Sequence, residues 1–269
     1  MKVYYVPSIT FFVAIILFFS CSERESKVKT ENSNIKQLNY QVIDTLLHDT
    51  TSFTEGLVYY NNKLYESTGS PDEIPFTKSL VGPVSGKGTI EAKVKLEKKY
   101  FGEGITIFKD KIYQLTYKDQ KGFVYSFPSF KKIKEFQFQN KEGWGLTNDS
   151  LNLIMSDGTH VLTYLDPNNL EIVKTLNVRL DGYGQSNINE LEYANGFIYA
   201  NIWQTNQIIK INSQNGDVIA LADFTDLKKY VSSIYAESLE MNGIAYDKKN
   251  NYFIITGKMW PRSFIIKFL

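Results

Sequence analysis

Glu103 lies between two glycines, in Gly102-Glu103-Gly104. Glycine on both sides lets the backbone turn tightly and lets a ligand come close. A second carboxyl, Glu55, precedes another glycine in Glu55-Gly56-Leu57, and Trp144 and the pair Asn189-Glu190 stand at matching points further along. The chemistry on offer is that of carboxyls set among aromatic and amide groups. Nucleophilic catalysis has no comparable candidate. No Gly-x-Ser-x-Gly turn is present, and His48 and His160 fall in turn-like or strand-edge surroundings and read as structural. The stretch from Gly82 to Thr89 resembles a phosphate loop but is one residue short, and Gly88 stands where Ser or Thr is required. Two His and one Cys in 269 residues cannot supply a His-rich catalytic zinc site. One Cys allows no internal disulfide. With 30 Lys and Arg against 29 Asp and Glu, the balance gives no electrostatic reason to expect nucleic acid.

The elements that must position these groups form a repeat. A Gly with an aliphatic partner opens a strand; a turn rich in Asn, Asp and Lys follows, then an aromatic-aliphatic strand. Copies begin at Glu55, Glu103, Gly143, Asn189 and Asn242, roughly 40 to 53 residues apart, the spacing of propeller blades. At least three copies continue into a second hairpin: residues 122–127 with 133–138, 161–165 with 171–177, and 207–211 with 218–222. Turns of Asn, Asp, Gly and Pro divide them. The best helix candidate is short, residues 224–235. The pattern predicts an all-β chain folded as a five-bladed β-propeller. Matching positions of all blades then point to one mouth of the central channel, where Glu55, Glu103, Trp144, Asn189 and Glu190 converge and Trp203 and the Lys258-Met259-Trp260 segment stand at the rim. A strand over residues 40–46 is expected to complete the last blade, beside the C-terminal strand.

Residues 1–20 have the layout of a secretory signal: Lys2, an apolar run over residues 9–19, and Ser20. Leu17-Phe18-Phe19-Ser20-Cys21 is similar to a bacterial lipoprotein cleavage box, with Phe18 bulkier than the usual Leu. Cys21 is thus the expected lipidation site. The polar residues after it read as a flexible tether. The expected organisation is a signal peptide over 1–20, lipidated Cys21 and tether over 21–38, and the propeller over 39–269. The expected location is a bacterial cell envelope, facing the periplasm or the exterior, with a membrane contact through the lipid anchor.

Ten segments in order make the chain resemble the plant-type and bacterial glutaminyl-peptide cyclotransferases. They include Phe53-Thr54-Glu55-Gly56-Leu57, Tyr100-Phe101-Gly102-Glu103-Gly104, Gly143-Trp144-Gly145-Leu146, Asn189-Glu190-Leu191-Glu192-Tyr193, Ala200-Asn201-Ile202-Trp203 and Thr256-Gly257-Lys258-Met259-Trp260-Pro261. They run from Phe53 almost to the C-terminus. The resemblance implies a five-bladed propeller and a reaction. The α-amine of an N-terminal Gln attacks its own side-chain amide, ammonia leaves, and a pyroglutamyl end forms. It implies Glu103 as the acid/base residue, and Trp144 and Trp203 as pocket walls that fold the substrate and raise the Glu103 pKa. It further implies Asn189 and Lys258 as groups that bind the substrate and polarise its amide. Phe53, Glu55 and Tyr117 complete the expected substrate-binding set. No catalytic metal and no cofactor are implied; the expected partners are peptides or proteins with N-terminal Gln, and the expected state is a monomer.

Three departures from the family pattern stand out. Glu55 replaces a frequent Gln, an extra carboxylate able to bind an α-ammonium or alter substrate choice. Tyr117 replaces a pocket Trp. Residues 70–90 lack the family's Tyr-Gly-x-Ser start and carry Pro71, Pro75 and Pro83, which bears on the outer strands of the first blade. The competing reading is a non-catalytic, envelope-anchored propeller that binds peptides or glycans. A calcium-dependent propeller hydrolase is a third, and only Glu55, Glu103 and Glu190 supply carboxylates for it.

Overall fold

The computed structural model describes Met1, Lys2 and residues 35–269. The expected signal peptide, Cys21 and most of the expected tether lie outside the described residues. Among those described, no helix is long and apolar enough to cross a membrane.

Five blades of four strands each, one of them extended by a short fifth strand, stand round a central axis, each running outward from its innermost strand. Blade 1 comprises Phe53–Tyr60, Lys63–Gly69, Leu80–Pro83 and Val94–Lys95. Blade 2 comprises Gly102–Phe108, Lys111–Thr116, Lys121–Ser126 and Lys132–Gln137. Blade 3 is Leu146–Asn148, Leu153–Met155, Val161–Leu165 and Ile172–Asn177. Blade 4 is Ile188–Ala194, Phe197–Ile202, Gln207–Asn212 and Val218–Asp223. Blade 5 takes Met241–Asp247, Tyr252–Gly257 and Arg262–Phe268, and its outermost strand is Tyr40–Leu47 from the other end of the chain. Tyr40 pairs with Phe268 and Leu47 with Arg262, antiparallel, so the two ends of the domain close the ring as the sequence pattern predicts.

The hairpins follow from their turns. Asn61 and Asn62 both adopt positive φ (49° and 59°), as do Asn195 and Gly196 (52° and 84°); two left-handed residues in succession match the twist of a tight hairpin. Between the blades lie five apolar clusters, one per interface. The largest, between blades 4 and 5, contains Tyr199, Phe224, Phe253, Trp260 and Phe264. Among the described residues, two regular elements lie on the connections between blades: the hairpin Arg179–Leu180 with Tyr183–Gly184 before blade 4, and the helix Thr225–Ile234 before blade 5.

One boundary differs from the sequence reading. Lys36–Gln37 lies parallel to Val218–Asp223 on the edge of blade 4, and Leu38 is buried, so the last residues of the expected tether are part of the domain. Backbone pairing needs no apolar side chain, which is why composition misses it. In blade 1 the outermost strand is only two residues long, and Pro83, lacking an N–H, ends the strand before it.

The innermost strands explain why Gly recurs at the blade openings. In blades 1, 2, 4 and 5 the pairing register of this strand breaks at the opening: between Thr54 and Gly56, Gly102 and Ile105, Ile188 and Leu191, and Met241 and Ile244. A bulge of this kind re-aims a side chain out of the pleat. The glycine beside it lets the next blade approach. A Cβ on Gly104 would lie 2.5 Å from the Trp144 carbonyl oxygen, and one on Gly145 would lie 2.2 Å from that of Asn189. The obstacle is backbone, which cannot step aside. Gly145→Ala is therefore expected to cost about 3 kcal/mol or more, the upper end of overpacking losses. The urea midpoint measures it.

Candidate active site

The bulges deliver their side chains to one cavity of about 190 Å³. At about 30 Å³ per water this is room for roughly six waters, the size of one amino-acid residue and not of a peptide stretch. Its walls are aromatic: Phe53, Phe101, Tyr117, Trp144 and Trp203. Its polar groups are Glu55, Glu103, Asn189, Glu240 and Lys258. All eight residues assigned from sequence to catalysis or substrate binding thus lie on one wall or another of the same cavity.

The walls are braced. Trp144 donates its indole N–H to Glu142 Oε2 at 2.9 Å and meets Trp203 edge-on, with centroids 5.6 Å apart. Gly158, at φ +80°, packs flat on the Trp144 ring, where a Cβ would lie 2.8 Å from it. On the opposite side Phe101 meets Phe53 edge-on at 5.9 Å and Tyr117 at 5.8 Å. Tyr117 therefore keeps the ring position that a Trp would fill.

One ammonium faces three carboxyls. Lys258 Nζ lies 2.9 Å from Glu55 Oε1 and 3.2 Å from Glu240 Oε1, and both Lys258 and Glu55 side chains are almost wholly buried. It also sits 4.5 Å above the Phe53 ring. Asn242 Nδ2 donates to Glu55 Oε2 at 2.9 Å. An ammonium has three donors; Glu55 and Glu240 engage two. Burial alone would lower the Lys258 pKa, but the carboxylates of Glu55, Glu240 and Glu103 outweigh it and raise it. Burial pushes Glu55 up to about 7 against the pull of Lys258. For Glu240 the balance runs the other way: burial would raise it, and Lys258 holds it below its ordinary range.

Glu103 differs from both. It is 5% exposed, and among the described residues its carboxyl accepts no hydrogen bond. Burial raises its pKa well above the ordinary value, the Glu55 charge raises it further, and Lys258 only partly opposes them. Glu103 is thus a carboxyl whose pKa burial and the Glu55 charge raise, at the edge of a one-residue aromatic cavity.

A family model described as glutamine cyclotransferase matches residues 12–268. The chain belongs to the glutamine cyclotransferase family. A relative from Arabidopsis thaliana named glutaminyl-peptide cyclotransferase is 34% identical over 230 residues, which span 84% of this chain and 70% of that one. The crystal structure of Myxococcus xanthus glutaminyl cyclase superposes with a TM-score of 0.79 at 30% identity, covering 87% of this chain and 98% of that one. A likeness to a chain of the mitotic checkpoint complex, TM-score 0.50 at 11% identity, speaks to the fold alone.

Two cavity residues of this cyclotransferase-family chain escape sequence reasoning. Phe101 precedes the Gly-Glu-Gly bulge and reads as an ordinary core aromatic. Glu240 lies two residues before the fifth repeat copy and enters the site through Lys258, whose N–H it also accepts on its backbone oxygen at 3.0 Å. Two residues expected at the mouth or its rim lie elsewhere: Trp260 is buried in the apolar cluster between blades 4 and 5, and Glu190 is the other. Glu190 occupies the place that Gly56, Gly104 and Gly145 hold in other blades. Its carboxylate spans the channel, accepting the backbone N–H of Leu57 at 3.3 Å and of Ile244 at 2.6 Å. It ties blade 4 to blades 1 and 5 and does not line the cavity.

Proposed function

We propose that this cavity converts an N-terminal Gln of peptides or proteins to pyroglutamate with release of ammonia, using Glu103 as the proton carrier and no metal. The observation that carries the reading is Glu103 itself: buried, unbonded, with a raised pKa, in a cavity sized for one terminal residue. The α-amine arrives mainly as ammonium, with an ordinary pKa of about 7.7–8.0. Passing one proton to a carboxylate of ordinary pKa would cost roughly 4–5 kcal/mol; the raised Glu103 pKa lowers that cost. The freed amine then attacks the side-chain amide carbon, and the new C–N bond pushes negative charge onto the amide oxygen. The third Lys258 proton and the Asn189 amide are the donors placed to meet that charge. Glu103 gives its proton to the departing nitrogen, the old C–N bond breaks, and the vacated carboxylate takes the surplus proton from the ring nitrogen. Lactam, ammonia and protonated Glu103 result, and the protons balance.

The aromatic walls hold the Gln side chain folded back on its own amine, which turns the attack into a ring closure between groups already in contact. The absence of a metal from the scheme is supported by the position of Lys258, whose ammonium fills the place between Glu55 and Glu240 that a cation would need. Action as a monomer belongs to the same proposal. Attachment to a bacterial envelope membrane through Cys21 belongs to the same proposal and rests on the sequence layout alone. Ammonia release from a Gln-initiated peptide, measured with and without a strong chelator, tests the chemistry. Equal rates are expected; loss of activity with the chelator, restored by a divalent metal, would overturn the metal-free route.

A further inference from the structure

Lys258 stands on a turn with strained backbone. Met259, next to it, has φ +58°, a left-handed conformation that a side-chain-bearing residue keeps only where its surroundings impose it. The surroundings are specific. The Met259 N–H donates to the Ser52 oxygen at 2.8 Å, and the Lys258 backbone pairs with Leu239 and Glu240. His48, buried after the closing strand, approaches the Trp260 carbonyl oxygen through Nδ1 at 2.6 Å. Its Nε2 lies 3.1 Å from Glu66 Oε1, which also accepts the Thr54 hydroxyl at 2.7 Å. Both imidazole nitrogens face acceptors, a carbonyl and a carboxylate, so both must carry protons. Burial would lower the His48 pKa; Glu66 outweighs it and raises it.

This pair reaches both halves of the cavity's ion pair. Through Thr54 it holds the residue before Glu55, and through Trp260 it holds the turn that carries Lys258. We propose that His48 is a positioning residue for Lys258: clasped to Glu66, it anchors the Trp260 carbonyl and so fixes the left-handed turn that aims the ammonium between Glu55 and Glu240. The inference rests on reading the cavity as a cyclase site, but its first test needs no substrate.

The test compares His48→Asn with His48→Gln. Asn places its amide nitrogen where Nδ1 stands and keeps a donor to Trp260; Gln places it where Nε2 stands and keeps only the donor to Glu66. Both lose the buried imidazolium, so a merely structural role would make them alike. Hydrogen exchange of the Met259 and Trp260 amides is expected to accelerate in His48→Gln and to stay near wild type in His48→Asn. At a temperature where both variants are folded, kcat on a Gln-initiated peptide is expected to fall roughly ten- to a hundredfold in His48→Gln with little change in KM, because a misplaced catalytic group loses rate. His48→Asn is expected to retain most of the wild-type kcat. Equal behaviour of the two variants, in exchange or in kcat, would overturn the role. A wild-type protein that releases no ammonia would instead overturn the cyclase reading, while the exchange data would still decide whether His48 holds the turn.

Discussion

Glu103→Gln is expected to lower kcat by about 10²–10⁴-fold, the usual worth of a positioned acid/base group, while leaving the protein at least as stable as wild type. The two halves of this result come from the same geometry. The amide matches the carboxyl in shape, so the cavity and its aromatic walls persist and KM changes little. It cannot take a proton from the amine and return it to the leaving nitrogen, so the chemical step loses its carrier. In most buried sites such a change removes a hydrogen bond and destabilises the fold. Here the Glu103 carboxyl accepts none among the described residues, and its charge is opposed by burial and by Glu55. A neutral amide relieves that conflict. Steady-state kinetics and thermal melting of the same sample measure both halves. Wild-type kcat in the variant would remove Glu103 from the mechanism; a large drop in melting temperature would show that its carboxyl has a structural bond.

Lys258→Met is expected to damage both rate and stability, and its stability loss should depend on pH in a defined direction. Removing the ammonium strips Glu55 and Glu240 of their partner inside the protein, a change that costs about 3–5 kcal/mol when one member of a buried pair is lost. Both carboxyls then lose the group that most strongly opposes the effect of burial, and their folded pKa values rise; Glu55 already stands at about 7 with Lys258 in place. The unfolded chain takes up these protons only near about pH 4.3. Between those values the folded state binds more protons than the unfolded state, so stability falls as pH rises through the folded pKa and returns as pH is lowered. Urea midpoints of variant and wild type should therefore differ most above neutrality and draw together as pH falls toward about 4.3. A difference that is the same at both ends would contradict the assignment. The kcat loss should persist at every pH, since protonating the carboxyls does not restore a donor to the amide oxygen.

What the sequence could show follows from where each side chain gets its position. Glu55, Glu103 and Asn189 owe theirs to the repeated bulge, and Trp144 to the matching opening of blade 3, and these openings are visible as a recurring short motif. Trp203 and Lys258 sit at the ends of second strands, which the same repeat locates. Closure of the ring was legible because one strand-like segment, Tyr40–Leu47, precedes the first repeat and another, Arg262–Phe268, ends the last. The His48–Glu66 clasp depends on side chains from separate blades meeting, and Glu240 on its meeting with Lys258 at the end of the neighbouring strand; no local pattern encodes either. Glu190 illustrates the converse. Its position matches the repeat, but it stands in the glycine's place, so its side chain turns into the channel between blades instead of into the cavity. Lys36–Gln37 joins blade 4 through backbone bonds, to which composition is blind.

The central claim is that a free terminal amine closes on its own glutamine side chain in this cavity. Mass spectrometry of two peptides, identical except that one has its N-terminal Gln acetylated, measures it directly. Incubated with the protein, the free peptide should lose one ammonia and become resistant to N-terminal sequencing, while the acetylated peptide stays unchanged. No loss from the free peptide would contradict the account, and ammonia loss from both would show a deamidase that hydrolyses the amide with water in place of the amine.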